Sequence, residues 1–94
     1  MIKKDIRDKV VRAITSHQEM SGRLVGQIHG NTCPLRDIEG FDSLSAEEAT
    51  VMLSELLGRG IPLDKNPFFS NDGRRAHSVD EIVDTIYSMI VHER

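Results

Sequence analysis

Ser43 stands between Asp42 and Leu44, three residues after Gly40 and directly ahead of an amphipathic stretch. A serine hydroxyl does covalent chemistry in two ways. It attacks as an activated nucleophile, or it receives a group from another enzyme. Activation needs a base that is itself oriented by a third group. No histidine lies within ten residues of Ser43, and no Gly-x-Ser-x-Gly elbow is present. Asp42 is the only base at hand, and a neighbour in sequence lacks the orienting third group. The residue types around Ser43 therefore supply no activated nucleophile, and the serine stands where a loop gives way to a helix. Ser and Asp are also favoured as helix caps in any protein, so the pair has a purely structural reading too. His29 and Cys33 have a spacing that could suit a metal, but a site needs about four ligands with a matching second pair. His17, His77 and His92 are scattered, so no metal site is expected.

The elements that must position Ser43 are helical. Ile6, Val10, Ala13 and Ile14 recur at three- and four-residue intervals between Lys3 and Met20, and Ser21-Gly22 is the stop. Residues 23–42 have no clear period and are broken by Gly26, Gly30, Pro34 and Gly40. Leu24, Val25, Ile28, Leu35, Ile38 and Phe41 are too many apolar residues for a free linker. This long first loop is expected to dock them in the core, with part of 23–28 extending the first helix. The second helix starts near Ser43 or Ser45. Ser45 and Glu48 have capping-box spacing, and Ala49, Met52, Leu53, Leu56 and Leu57 form a stripe up to the stop at Gly58. Phe68 and Phe69 should anchor an irregular stretch from Leu63 to Ala76, around one short helical turn, with a chain reversal at Asn71-Asp72-Gly73. Ser78 and Glu81 form a second capping box. Val79, Ile82, Val83, Ile86, Met89 and Ile90 follow at helical spacing. The sum is one all-α domain over 1–94, a small four-helix bundle of three main helices and one short one.

Gly40-Phe41-Asp42-Ser43-Leu44 followed at once by an amphipathic helix resembles the attachment motif of acyl carrier proteins and the related peptidyl carrier domains. The order of elements agrees along nearly the whole chain, from about Lys3 to Val91. Gly40 precedes the serine by three residues, and Leu35 matches an apolar anchor of the loop. Gly58…Ile61-Pro62 is similar to the family's Gly-x-x-Ile-Pro step, and Ser78-Val79-x-x-Ile82 to the opening of its final helix. Two departures stand beside it. Ile38 lies one residue earlier than the family's apolar position, where this chain has Glu39. The segment between Pro62 and Ser78 is longer and contains Arg74-Arg75.

The resemblance implies a non-enzymatic carrier. Ser43 would hold 4′-phosphopantetheine from coenzyme A, with Asp42 and Leu44 as its flanking motif residues. The arm would carry acyl or aminoacyl thioesters for fatty-acid, lipid, polyketide or peptide biosynthesis. A phosphopantetheinyl transferase and enzymes with basic docking surfaces are the implied partners, met by Glu47, Glu48 and Glu55 on the second helix. An unmodified carrier-like interaction module is the alternative reading.

Composition bounds the remaining classes. The net charge of −3 disfavours non-specific nucleic-acid binding, which draws on Lys and Arg. That and the acidic second helix count against a small DNA-binding regulator. Cys33 is the single cysteine, which rules out an internal disulfide and fits a cytoplasmic setting. The opening Met1-Ile2-Lys3-Lys4-Asp5 lacks the apolar core of a signal peptide, and no apolar stretch approaches membrane-spanning length. A monomer is the default.

Overall fold

Apolar periodicity dictates the first element. Helix α1 spans Lys3–Met20 in the computed structural model, which describes residues 2–92. Ile6, Val10, Ala13 and Ile14 lie on one face of α1 and are fully buried. Each large side chain so buried contributes on the order of 1.5–3 kcal/mol relative to exposure. The helix ends where expected. Gly22 N–H donates to Glu19 O at 3.0 Å and Arg23 N–H to Gln18 O at 2.9 Å, the paired bonds that close a helix C-terminus. Residues 23–28 therefore do not extend α1, contrary to the expectation from sequence. The closing turn sends the chain outward, and Leu24 is fully exposed instead of docked.

Val25 is half-buried and lies outside the core cluster, and from Ile28 onward the loop returns to the core. Phe41 is buried, and Ile28, Leu35 and Ile38 pack against the cluster it joins. A four-residue helix, α2 (Pro34–Asp37), interrupts the loop. Pro34 is preset for a first helical position, and the Asp37 carboxylate accepts the Cys33 N–H at 2.7 Å. Cys33 is buried as a small apolar residue. Two further bonds tie the loop across the bundle. Thr32 O and Gly30 O accept from Val79 N–H and Asp80 N–H, at 2.8 and 2.9 Å. They satisfy donors that the start of the last helix leaves free. This bonding explains how some twenty residues without a period remain ordered.

Helix α3 covers Ser43–Leu57, with Ala46, Ala49, Leu53 and Leu57 buried and Met52 and Leu56 half-buried. It stops at Gly58, whose φ of 71° is the left-handed conformation that glycine adopts without a Cβ penalty. The short helix expected between Leu63 and Ala76 is a single 3-10 turn, Leu63–Lys65. The fold's short α-helix is α2 instead. Phe68 is fully buried against Phe41, ring centroids 5.5 Å apart. Around it the chain bonds to itself. Ser70 N–H donates to Arg75 O at 2.8 Å, Phe69 and Ala76 form an isolated bridge, and the His77 ring Nδ1 donates to Pro67 O at 2.9 Å.

Helix α4 runs Val79–His92 behind the predicted capping box. Ser78 N–H donates to Glu81 Oε1 at 2.9 Å, and Glu81 N–H to Ser78 Oγ at 3.2 Å. Val79, Ile82, Val83 and Ile86 are buried. Both α3 and α4 pack on α1, which is the central element. Arg7–Asp80 at 2.7 Å and Lys3–Asp84 at 3.1 Å fix the α1/α4 register. At half-exposed positions such pairs are worth about 0–1 kcal/mol each. The described residues thus form an all-α fold of four helices with no strand. No helix among them is long and apolar enough to cross a membrane.

Candidate functional site

Asp42 and Ser45 determine how Ser43 is presented. Asp42 is the N-cap of α3, and its Oδ1 accepts both Ser45 N–H at 2.9 Å and Ser45 Oγ–H at 3.0 Å. The Ser45–Glu48 capping box read from the sequence does not form. Ser45 turns back to Asp42, while Glu48 is drawn to a histidine described below. The cap moves the helix start to Ser43, leaving it as the first residue of α3.

Ser43 is exposed, and its hydroxyl makes no hydrogen bond among the described residues. Nothing activates it. The bond from Ser45 N–H, followed by that from the Ser45 hydroxyl, holds the Asp42 carboxyl below the usual carboxylate range. A carboxylate so stabilised is a weaker base, and it is already occupied by the cap. Ser43 also lies on the rim of an open groove of about 1230 Å³ between the 59–73 segment and α4. Leu57, Ile61, Phe69, Ile86 and Met89 supply its apolar wall.

The predicted partner residues Glu47, Glu48 and Glu55 share one outer face with the motif residue Leu44. Leu44, Glu47, Glu48 and Glu55 follow at i, i+3, i+4 and i+11, which helical geometry places in a single stripe. Leu44 is 61% exposed, so it belongs to this outer face and not to the core. Val51, at i+7 and 51% exposed, completes the stripe. The sequence reading did not single it out, although its seven-residue spacing from Leu44 is the signal. The result is two apolar residues framed by three carboxylates, beginning one residue after Ser43.

Glu48 has a second role that sequence spacing does not reveal. Its Oε1 lies 2.8 Å from Nε2 of His17 in α1. The His17 ring is buried and stands edge-on to Phe41, centroids 5.8 Å apart. Its Nδ1 and the neighbouring Gln18 Oε1 are buried without partners among the described residues. Glu47 and Glu55 are exposed and make no ion pair among the described residues.

Elsewhere, Arg75 pairs with Glu81 at 3.0 Å. His29 and Cys33 gather no further ligands, and no group of three or more His, Cys, Asp or Glu side chains suited to a metal occurs among the described residues. Comparison with protein-family models, curated proteins and solved structures finds no match for this chain.

Proposed function

We propose that the chain is a carrier protein whose Ser43 receives 4′-phosphopantetheine from coenzyme A. The observation that carries this reading is the unbonded, exposed Ser43 hydroxyl at the start of α3, relieved of capping duty by Asp42. In the transfer, Ser43 Oγ bonds to the phosphorus that bears the pantetheine. The pyrophosphate bond breaks, 3′,5′-adenosine diphosphate leaves, and the hydroxyl proton passes to a base of the phosphopantetheinyl transferase. The bound arm supplies a terminal thiol that holds an acyl or aminoacyl group as a thioester. The domain serves fatty-acid, lipid, polyketide or peptide biosynthesis and is not an enzyme.

The groove beside Ser43 gives an attached cargo an apolar wall to lie against. The stripe of Leu44, Glu47, Glu48, Val51 and Glu55 supplies a docking face for the transferase and for biosynthetic enzymes with basic surfaces. Its charges speed encounter, and its two apolar residues add burial on contact. The same stripe supports the alternative reading, an unmodified module that binds one basic partner through α3.

Intact mass after incubation with coenzyme A, magnesium and a broad-specificity transferase separates the two. The expected result is a gain of one phosphopantetheine on the peptide containing Ser43, and none on Ser43→Ala. A folded wild type that gains nothing beside an actively loaded control carrier refutes the carrier reading and leaves the unmodified module.

A further inference from the structure

The end of α1 is fastened to the loop that presents Ser43. Gln18 Nε2 donates to Glu39 O at 2.9 Å, and Arg23 N–H closes the turn after α1. From there the Arg23 side chain lies across Gly40. A Cβ added at Gly40 would sit 2.6 Å from Arg23 Cζ and 2.8 Å from Cδ, well inside contact distance. Gly40 also has φ of 77°. Glycine is needed there for the left-handed backbone, and a Cβ would in addition push the exposed Arg23 side chain aside. Gly40 O lies 3.4 Å from Ser45 Oγ, whose one proton goes to the nearer Asp42 Oδ1, so the loop rests against the first turn of α3. Two residues, Phe41 and Asp42, separate Gly40 from Ser43, a span of at most about 11 Å when extended.

The Arg23 guanidinium is exposed beside this turn, and no acid among the described residues pairs with it. Among the described residues it makes neither an ion pair nor a hydrogen bond, as is true of Arg12, Arg36 and Arg74, but Arg23 is the one of these that lies against the Gly40 turn. Asp42, the acid next to Ser43, gives its carboxylate to Ser45. Glu39, the acid next to Gly40, makes no ion pair with Arg23. A planar fork of donors that is charged at every working pH matches two oxygens of one phosphate group better than any other side chain does.

We infer that Arg23 is a positioning residue for the phosphodiester on Ser43, its guanidinium taking the phosphate oxygens and holding the root of the arm against the Gly40 turn. The inference rests on the carrier reading of Ser43. It is tested on wild type, Arg23→Gln and Arg23→Lys after treatment with transferase and coenzyme A. Three readouts are compared: intact mass, the backbone amide spectrum, and the phosphorus-31 resonance of the arm. The wild-type resonance should be shifted and broadened relative to the same protein in urea. Arg23→Gln should return it to the urea position while keeping the amide spectrum of the fold, and Arg23→Lys should fall between. Superimposable phosphorus resonances in folded, loaded wild type and Arg23→Gln would overturn the role of Arg23 and leave the carrier reading intact. A wild type that gains no arm while the control carrier does would overturn both.

Discussion

Alanine replacement at three glycines separates two costs that meet at Gly40. Gly26 has an ordinary backbone and open space around its Cα, so Gly26→Ala carries neither cost. It should stabilise the domain by about 0.4–1 kcal/mol, because alanine narrows the unfolded ensemble. Gly58 has φ of 71° and nothing within 4 Å of an added Cβ, so Gly58→Ala isolates the left-handed backbone. That conformation costs an L-residue roughly 1–2 kcal/mol. Gly40 combines φ of 77° with the Arg23 side chain in the Cβ position. Gly40→Ala should lose the same roughly 1–2 kcal/mol plus whatever it costs to move the guanidinium off the loop. In a domain of this size 1 kcal/mol shifts Tm by about 4–8 °C, so the order of the three variants is resolvable. Helical circular dichroism followed in heat and in urea is the assay. Pairing Gly40→Ala with Arg23→Ala in a double-mutant cycle should return a coupling of at least about 0.5 kcal/mol. If Gly40→Ala melts with Gly26→Ala, both the left-handed turn and the seat of Arg23 are wrong.

Other outcomes follow from single contacts. Phe68→Ala empties the site of a fully buried ring packed on Phe41 and should cost about 3–5 kcal/mol in urea unfolding. Ser43→Ala should unfold within about 0.5 kcal/mol of wild type, since the α3 cap is Asp42. Glu81 is held below its ordinary range first by the Ser78 N–H bond and then by Arg75. The lowered value in the fold means that its contribution is present above the unfolded value, about 4.3, and is lost as pH falls through the folded one. Glu81→Gln should therefore lose less stability than wild type when urea unfolding is repeated from pH 6 down to pH 3. Glu47→Lys and Glu55→Lys should slow transferase loading up to about tenfold at low salt and less at high salt, with Tm unchanged. Glu48→Lys should slow loading and also lower Tm, because it removes the partner of His17.

Legibility in the sequence followed the range of the interactions. The stripes of α1 and α4 and the Ser78–Glu81 box depend on residues three and four apart, and the structure has them as read. The start of α3 at Ser43 is one of the two starts the sequence offers, but the Ser45–Glu48 capping box is not its cap. Asp42 prevails since Ser45 bonds it twice and Glu48 is engaged by His17, 31 residues away in the chain. Helix α2 is too short to show a period, although Pro34 with Asp37 three residues on was its trace. Leu24 was expected inside because apolarity alone was counted. The turn that ends α1 decides its direction. At the candidate site the positions of Ser43, Glu47 and Glu55 on the outer face of α3 were readable from spacing. The contacts of His17 with Glu48, and of Arg23 with Gly40, join segments that no local pattern connects.

The central place of α1 bears on how the chain folds. Its apolar face is completed by α4, and the Arg7–Asp80 contact spans 73 residues. Helix α1 draws most of its stability from packing its apolar face rather than from propensity. Helix α3 precedes α4 in the chain and covers part of that face, and α4 completes it. The α1/α4 pairing is therefore a long-range closure, and contacts of such sequence separation are expected to slow folding relative to a bundle held by local contacts.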